Sequence, residues 1–199
     1  LLTTYKNAFV YAWFHPKVGL WLGATPETLL STENTSFTTM SLAGTQVYED
    51  NKKTIWKSKE LAEQQLVTTF IEKQLEQVAT DLEVDKTETV KAGDLLHLRT
   101  KVSGSLKHSA SLKELICALH PTPAVCGLPR AAARNFILKN EVYERDYYTG
   151  FLGELNLQKE KSSVPKTVLF VNLRCMKIND KNSASLFIGG GITEDSNAE

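Results

Sequence analysis

Between Lys53 and Thr80 the chain has no glycine and no proline, although both residues punctuate the sequence before and after that window. An uninterrupted stretch of this length does not fit a short strand closed by a turn. Ile55, Leu61, Phe70, Ile71, Leu75 and Val78 recur within it at mixed three- and four-residue spacings, with charged side chains between them. That pattern predicts one long amphipathic helix over 53–80. The flanking segments have strand character. Residues 8–14, AFVYAWF, and 18–23, VGLWLG, read as a hairpin across His15-Pro16-Lys17. TPETLL (25–30) carries a proline turn, and SFTTMSLAG (36–44) alternates in part. TETVKAG and LLHLRTKVSG (87–104) read as strands, as do TVLFVNLRCMKI (167–178) and SASLFIG (183–189), joined through Asn179-Asp180-Lys181-Asn182. Two short helices are expected, 111–119 capped by Ser111 and 130–140 with Pro129 at its first turn. Strands and helices cluster rather than alternate, so the expected class is α+β with mostly antiparallel sheet in a single domain over 1–199.

Composition narrows the functions. With 23 basic and 23 acidic side chains the formal net charge is zero, which does not suit a nucleic-acid binder. No run approaches the roughly 20 apolar residues of a membrane span, and no basic-then-apolar leader is present. Cys117, Cys126 and Cys175 form no CxxC pair and have no zinc spacing, so they read as reduced thiols of a cytoplasmic protein. The chain opens on Leu1-Leu2 without Met and stops at Glu199 just beyond a glycine run. It reads as a piece of a longer protein, truncated at both ends. Nothing in the sequence indicates an oligomeric state.

Several residues have chemistry worth following. Glu60 and Glu63 stand three apart on the long helix and so share a face. They are either a solvated face or ligands for a hard cation such as Mg²⁺. Glu27, in GATPE at the end of an apolar strand, is either an exposed turn residue or a desolvated carboxyl with a raised pKa, suited to general-acid work. The glycines of LAGT (42–45) and GGG (189–191) either make turns or offer backbone N–H groups to an anion. Arg174 falls in an apolar run and needs a partner, a protein carboxylate or an anionic substrate. His97 faces either a site or the core. No nucleophile elbow, phosphate loop or dinucleotide fingerprint is present.

Taken together, HPTPAVCGLP, ERDYYTGFLGE, GATPE, LAGT, KELAEQQLV, LHLRTKVSG, VNLRC and LFIGGGIT resemble the C-terminal half of the chorismate-utilising enzymes. The LHPTPAV form is similar to isochorismate synthases of the menaquinone and siderophore pathways, where anthranilate and aminodeoxychorismate synthases usually carry a Phe-Pro-x-Gly-type segment. The alternatives are a salicylate synthase, which is a close relative, an anthranilate or aminodeoxychorismate synthase component, and a non-catalytic binding domain on the same fold. The resemblance implies an anthranilate-synthase-like fold of layered antiparallel sheets flanked by helices, with the active site between them. It implies an isomerase reaction in which water attacks ring carbon 2 of chorismate while the carbon 4 hydroxyl leaves. By its motif Glu27 matches the general acid. Glu63, with Glu60 beside it, matches the Mg²⁺ ligands. Arg174 and Tyr148 match side chains that grip the enolpyruvyl carboxylate, helped by the Gly189 and Gly190 backbone. Gly44 and Thr45 match pocket lining near the ring and metal, and His97 a pocket histidine near the ring. Two departures stand out. The base lysine of the family lies in a strand upstream of GATPE, and neither Lys6 nor Lys17 is in its motif. The family continues after GGGIT into a Glu-Trp-x-Glu helix, and Glu194 and Glu199 do not fall on it. This polypeptide alone is therefore expected to have little or no isochorismate synthase activity.

Overall fold

The computed structural model describes residues 1–50, 54–158, 164–194 and 196, so Lys53 and Glu199 lie outside the described residues. In chain order the elements are β1 (Phe9–His15), β2 (Gly19–Thr25), β3 (Thr28–Glu33), β4 (Ser36–Val47), α1 (Ser58–Leu75), β5 (Ala79–Val84), β6 (Glu88–Ala92), β7 (Leu95–Leu106), α2 (Leu112–Leu119), α3 (Arg130–Asn140), β8 (Phe151–Leu157), β9 (Lys166–Val171), β10 (Cys175–Ile178) and β11 (Ala184–Leu186). A four-stranded sheet runs β1-β2-β10-β11, and a seven-stranded sheet runs β5-β7-β4-β3-β9-β8 with β6 also on β7. Every pairing is antiparallel.

The chain passes between the two sheets at two places that touch. β2 leads into β3 through Pro26-Glu27, and β9 leads into β10 through Asn172-Leu173-Arg174. The crossings are stitched together. The Val171 N–H donates to the Glu27 carbonyl at 3.0 Å, the Ala24 N–H to the Arg174 carbonyl at 3.2 Å, and the Thr25 hydroxyl to the Val171 carbonyl at 2.6 Å. Asn172 pins the second crossing by donating to the Tyr147 carbonyl at 2.9 Å and accepting from the Tyr11 hydroxyl at 2.6 Å. The expected single strand over 167–178 is thus two strands in different sheets. Arg174 is not inside a strand; it sits at the break with φ +49°.

The main core lies between α1, α2 and the large sheet. Val67, Ile71 and Leu75 of α1 meet Phe37, Ala43, Val102, Leu115, Leu119 and Val171. Each of these side chains larger than alanine contributes about 1.5–3 kcal/mol on full burial. A second cluster of Trp21, Tyr148 and Cys175, with Phe187 packed against it, lies by the small sheet. Helix α1 is shorter than predicted. Ile55 and Leu61 are exposed, and the chain after Leu75 turns directly into β5. Ser111 caps α2 as expected, accepting from the Glu114 N–H at 3.3 Å. Among the described residues no helix is long and apolar enough to cross a membrane.

Candidate active site

The site begins at a bulge. β4 and β7 lose register between Ala43 and Thr45, and Gly44 is the extra residue, with φ +71°. Two facts require glycine here. The backbone is left-handed, and a Cβ would stand 3.2 Å from both the Cβ and the carbonyl oxygen of Glu60 on α1. Gly44→Ala is therefore expected to cost about 1–3 kcal/mol in strain and to push the first turn of α1 outward. Chemical denaturation, read beside hydrogen exchange across residues 58–63, measures both effects.

The bulge directs the Gly44 carbonyl at His97 Nδ1, 3.2 Å away, and the exposed Thr45 places its hydroxyl at the same distance from that nitrogen. The other ring nitrogen, Nε2, lies 2.6 Å from Arg174 Nη2. A guanidinium can only donate, so Nε2 holds a lone pair and the proton sits on Nδ1, where it bonds the Gly44 carbonyl. Burial, then the Arg174 charge, holds the His97 pKa below its ordinary value, in keeping with a neutral ring. Arg174 also donates to the Ala92 carbonyl at 3.3 Å. Among the described residues it has no carboxylate partner. Of the two partners expected for this arginine, the protein carboxylate is absent among those residues.

Glu27 stands on the adjoining crossing with 2% of its surface exposed. Loss of hydration pushes its carboxyl up to about 8. Its side chain has no hydrogen bond or ion pair among the described residues. At neutral pH it is a protonated acid with a proton to give. A cavity of about 690 Å³ adjoins the crossing, lined by Tyr5, Lys6, Pro26, Leu42, Ala92 and Arg99 among others.

On α1, Glu60 lies beside Gly44 and Glu63 beside Gly191. Glu60 accepts the Lys57 N–H at 3.0 Å, so one of its oxygens satisfies the helix start. Glu63 is half-buried, has no hydrogen bond or ion pair among the described residues, and lies with Oε1 2.5 Å from where a Cβ on Gly191 would be. Two residues earlier, the Tyr148 hydroxyl stands where a Cβ on Gly189 would be, while the space beside Gly190 is open. The glycine run thus lies between Glu63 and Tyr148. Tyr148 stacks on Phe187 with centroids 5.2 Å apart, and Arg145, paired with Glu141, lies over its ring.

Contacts therefore connect Arg174 to His97, Gly44 and Glu60, and separately Glu63 to the glycine run and Tyr148. Glu27 joins through the crossing. Among the described residues no three His, Cys, Asp or Glu side chains cluster as a metal site. One free carboxylate and one half-committed carboxylate still suit Mg²⁺, which commonly takes one or two protein carboxylates and completes its shell with water and substrate oxygens. Sequence reasoning missed Gln64, 2% exposed, which ties α1 to the bulge by accepting the Ala43 N–H at 2.9 Å. Its signal was a polar residue at helical spacing from Val67 and Ile71 on the buried face.

The antiparallel two-sheet fold places at its crossings a buried acid and an arginine that has no carboxylate partner among the described residues. The family profile described as "Chorismate binding enzyme" matches residues 1–199, and the chain belongs to that family. It is similar to the isochorismate synthase DhbC of Bacillus subtilis, 31% identical over 188 residues that cover 89% of this chain and 46% of that protein. It is also similar to the isochorismate synthase MenF of Pasteurella multocida, 30% identical, covering 88% and 42%. Among solved structures, MenF, the menaquinone-specific isochorismate synthase from Escherichia coli, superposes with a TM-score of 0.78 at 28% identity, covering 88% of this chain and 41% of that one. The putative 2,3-dihydroxybenzoate-specific isochorismate synthase DhbC from Bacillus anthracis gives 0.76 at 29%, covering 89% and 49%. Anthranilate synthase component I from Streptococcus pneumoniae shares the fold, with a TM-score of 0.74 at 24% identity. The chain spans about half the length of the curated relatives it matches.

Proposed function

We propose that this chain is the chorismate-binding part of a cytoplasmic isochorismate synthase. The observation that carries the reading is Glu27, a buried carboxyl protonated at neutral pH, on a crossing bonded to the one that bears Arg174, which has no carboxylate partner among the described residues. In the proposed reaction water adds at ring carbon 2 of chorismate and gives up a proton to a base. Glu27 delivers its own proton to the carbon 4 hydroxyl, which leaves as water, and both ring double bonds shift together, from carbons 1–2 to 1–6 and from carbons 5–6 to 4–5. Arg174 and the Tyr148 hydroxyl hold the enolpyruvyl carboxylate against the Gly189–Gly190 backbone. Gly44 and Thr45 line the ring side. Glu63, with Glu60 beside it, would hold Mg²⁺, which supplies charge stabilisation at the ring carboxylate. Neither Lys6 nor Lys17 stands in the family's base motif, and the chain spans about half of its curated relatives, so the protein to assay is one extended to their length. The three cysteines are free thiols, in keeping with a reducing compartment.

The test is product analysis of that extended protein with chorismate and Mg²⁺, with and without ammonia. Isochorismate is expected, and chelator should abolish it. An amino product would move the chain to the anthranilate branch, pyruvate release with salicylate to the salicylate synthases, and no turnover by a folded protein to a binding domain.

A further inference from the structure

We infer that His97 is a positioning residue, which orients the Arg174 guanidinium toward an anionic substrate while leaving its charge unspent. The inference rests on the reading above and gives His97 a different task from lining the ring. Arg174 projects from a left-handed residue at the sheet crossing, and its long side chain has many rotamers to lose. Two contacts hold it among the described residues, His97 Nε2 at 2.6 Å and the Ala92 carbonyl at 3.3 Å. Both acceptors are uncharged. His97 is itself fixed by the Gly44 carbonyl, whose direction is set by the bulge. Backbone geometry at Gly44 therefore reaches the guanidinium through one imidazole.

The choice of acceptor matters. A carboxylate at position 97 would orient Arg174 more firmly, since charge-assisted pairs are the stronger ones. It would also neutralise the arginine and compete with any ligand carboxylate. A neutral imidazole with its lone pair on Nε2 orients without quenching. An aliphatic residue would do neither.

The experiment compares His97→Gln, His97→Leu and His97→Glu in the extended protein, with the wild type run alongside. Gln presents a neutral carbonyl acceptor near Nε2 and should keep KM for chorismate near wild type. Leu should raise KM roughly 10- to 100-fold, the effect of one lost contact to a charged group, with kcat largely kept. Glu should bind chorismate worst of all while remaining folded. The inference is overturned if Gln is as impaired as Leu, if Glu binds like wild type, or if the loss falls on kcat with KM unchanged. Histidine-selective ¹⁵N NMR of the wild-type protein reads the contact whatever the substrate. A neutral Nδ1–H ring whose Nε2 signal moves on Arg174→Met supports the inference, and an Nε2–H or doubly protonated ring at pH 7 refutes it. Wild type that makes no isochorismate defeats the functional reading, and the NMR result still decides the role of His97.

Discussion

Glu27→Gln is expected to leave the protein more stable than wild type at pH 8, by up to about 5 kcal/mol relative to their difference at pH 4, while slowing turnover of the extended protein. The sign follows from the direction of the shift. The carboxyl has an ordinary value of 4.5 and stands at about 8 in the folded chain. Below 4.5 both folded and unfolded states hold the proton, and Glu27 adds no pH dependence. Between 4.5 and about 8 the unfolded chain releases it and the folded chain does not, so stability falls as pH rises. Above about 8 the folded state ionises too, and the loss levels off. Glutamine has nearly the same shape and does not titrate, so its own contribution is flat across the window. Urea midpoints of both proteins at intervals from pH 4 to 8 measure the difference, and parallel curves would refute it. In the extended protein, losing a positioned acid costs about 10²–10⁴-fold in rate. The alkaline limb of the wild-type profile should follow the same ionisation near 8.

The sequence predicted the elements that build this site better than the contacts that assemble it. The hairpin over 8–23, α2 and α3 were legible because turn residues and caps are local signals. The seven-stranded sheet was only partly so. β5 and β8 were missed because they are edge strands with much polar or glycine content, ATDLEV and FLGELNL, and an edge strand needs no apolar face of its own. The break in 167–178 is hidden because Asn172 and Arg174 alternate around Leu173, which a strand pattern between VLFV and CMKI accommodates. What ends β9 is the long-range pinning of Asn172 by Tyr11 and Tyr147, which periodicity does not record. Glu27 and Glu63 stand out as candidates through motif resemblance, since spacing alone leaves each with a bland alternative. The burial of Glu27 and the lack of a carboxylate partner for Arg174 among the described residues are tertiary facts. So is the tautomer of His97, which depends on a residue 77 positions away.

Gln64→Leu is expected to cost about 3 kcal/mol and to loosen only one half of α1. No residue from Ser58 to Glu63 is buried, so Gln64 is the first side chain of the helix to enter the core. It enters through hydrogen bonds. Oε1 accepts the Ala43 N–H at 2.9 Å, and Nε2 reaches Ser41 Oγ at 2.8 Å and Thr100 Oγ1 at 3.0 Å. Thr68 donates to the Gln64 carbonyl at 3.0 Å, so Ser41 is the donor in its 2.7 Å bond to Thr68. Leucine fills a similar volume but leaves the Ala43 N–H with no partner and Ser41 and Thr100 each short of one. A buried orphan costs about 1–3 kcal/mol, and the hydroxyls lose less because Ser41 keeps Thr68 and Thr100 keeps Thr87 at 2.8 Å. The second half of α1 stays anchored by Val67, Ile71 and Leu75. Amide exchange should therefore rise in the first two turns, which carry Glu60 and Glu63, and change little beyond Val67. In the extended protein the same variant should need more Mg²⁺ for half-maximal protection against thermal unfolding, with the slope of its urea transition unchanged. Exchange that rises equally along the whole helix would mean that Gln64 stabilises α1 as a unit and does not register its carboxylates on the Gly44 bulge.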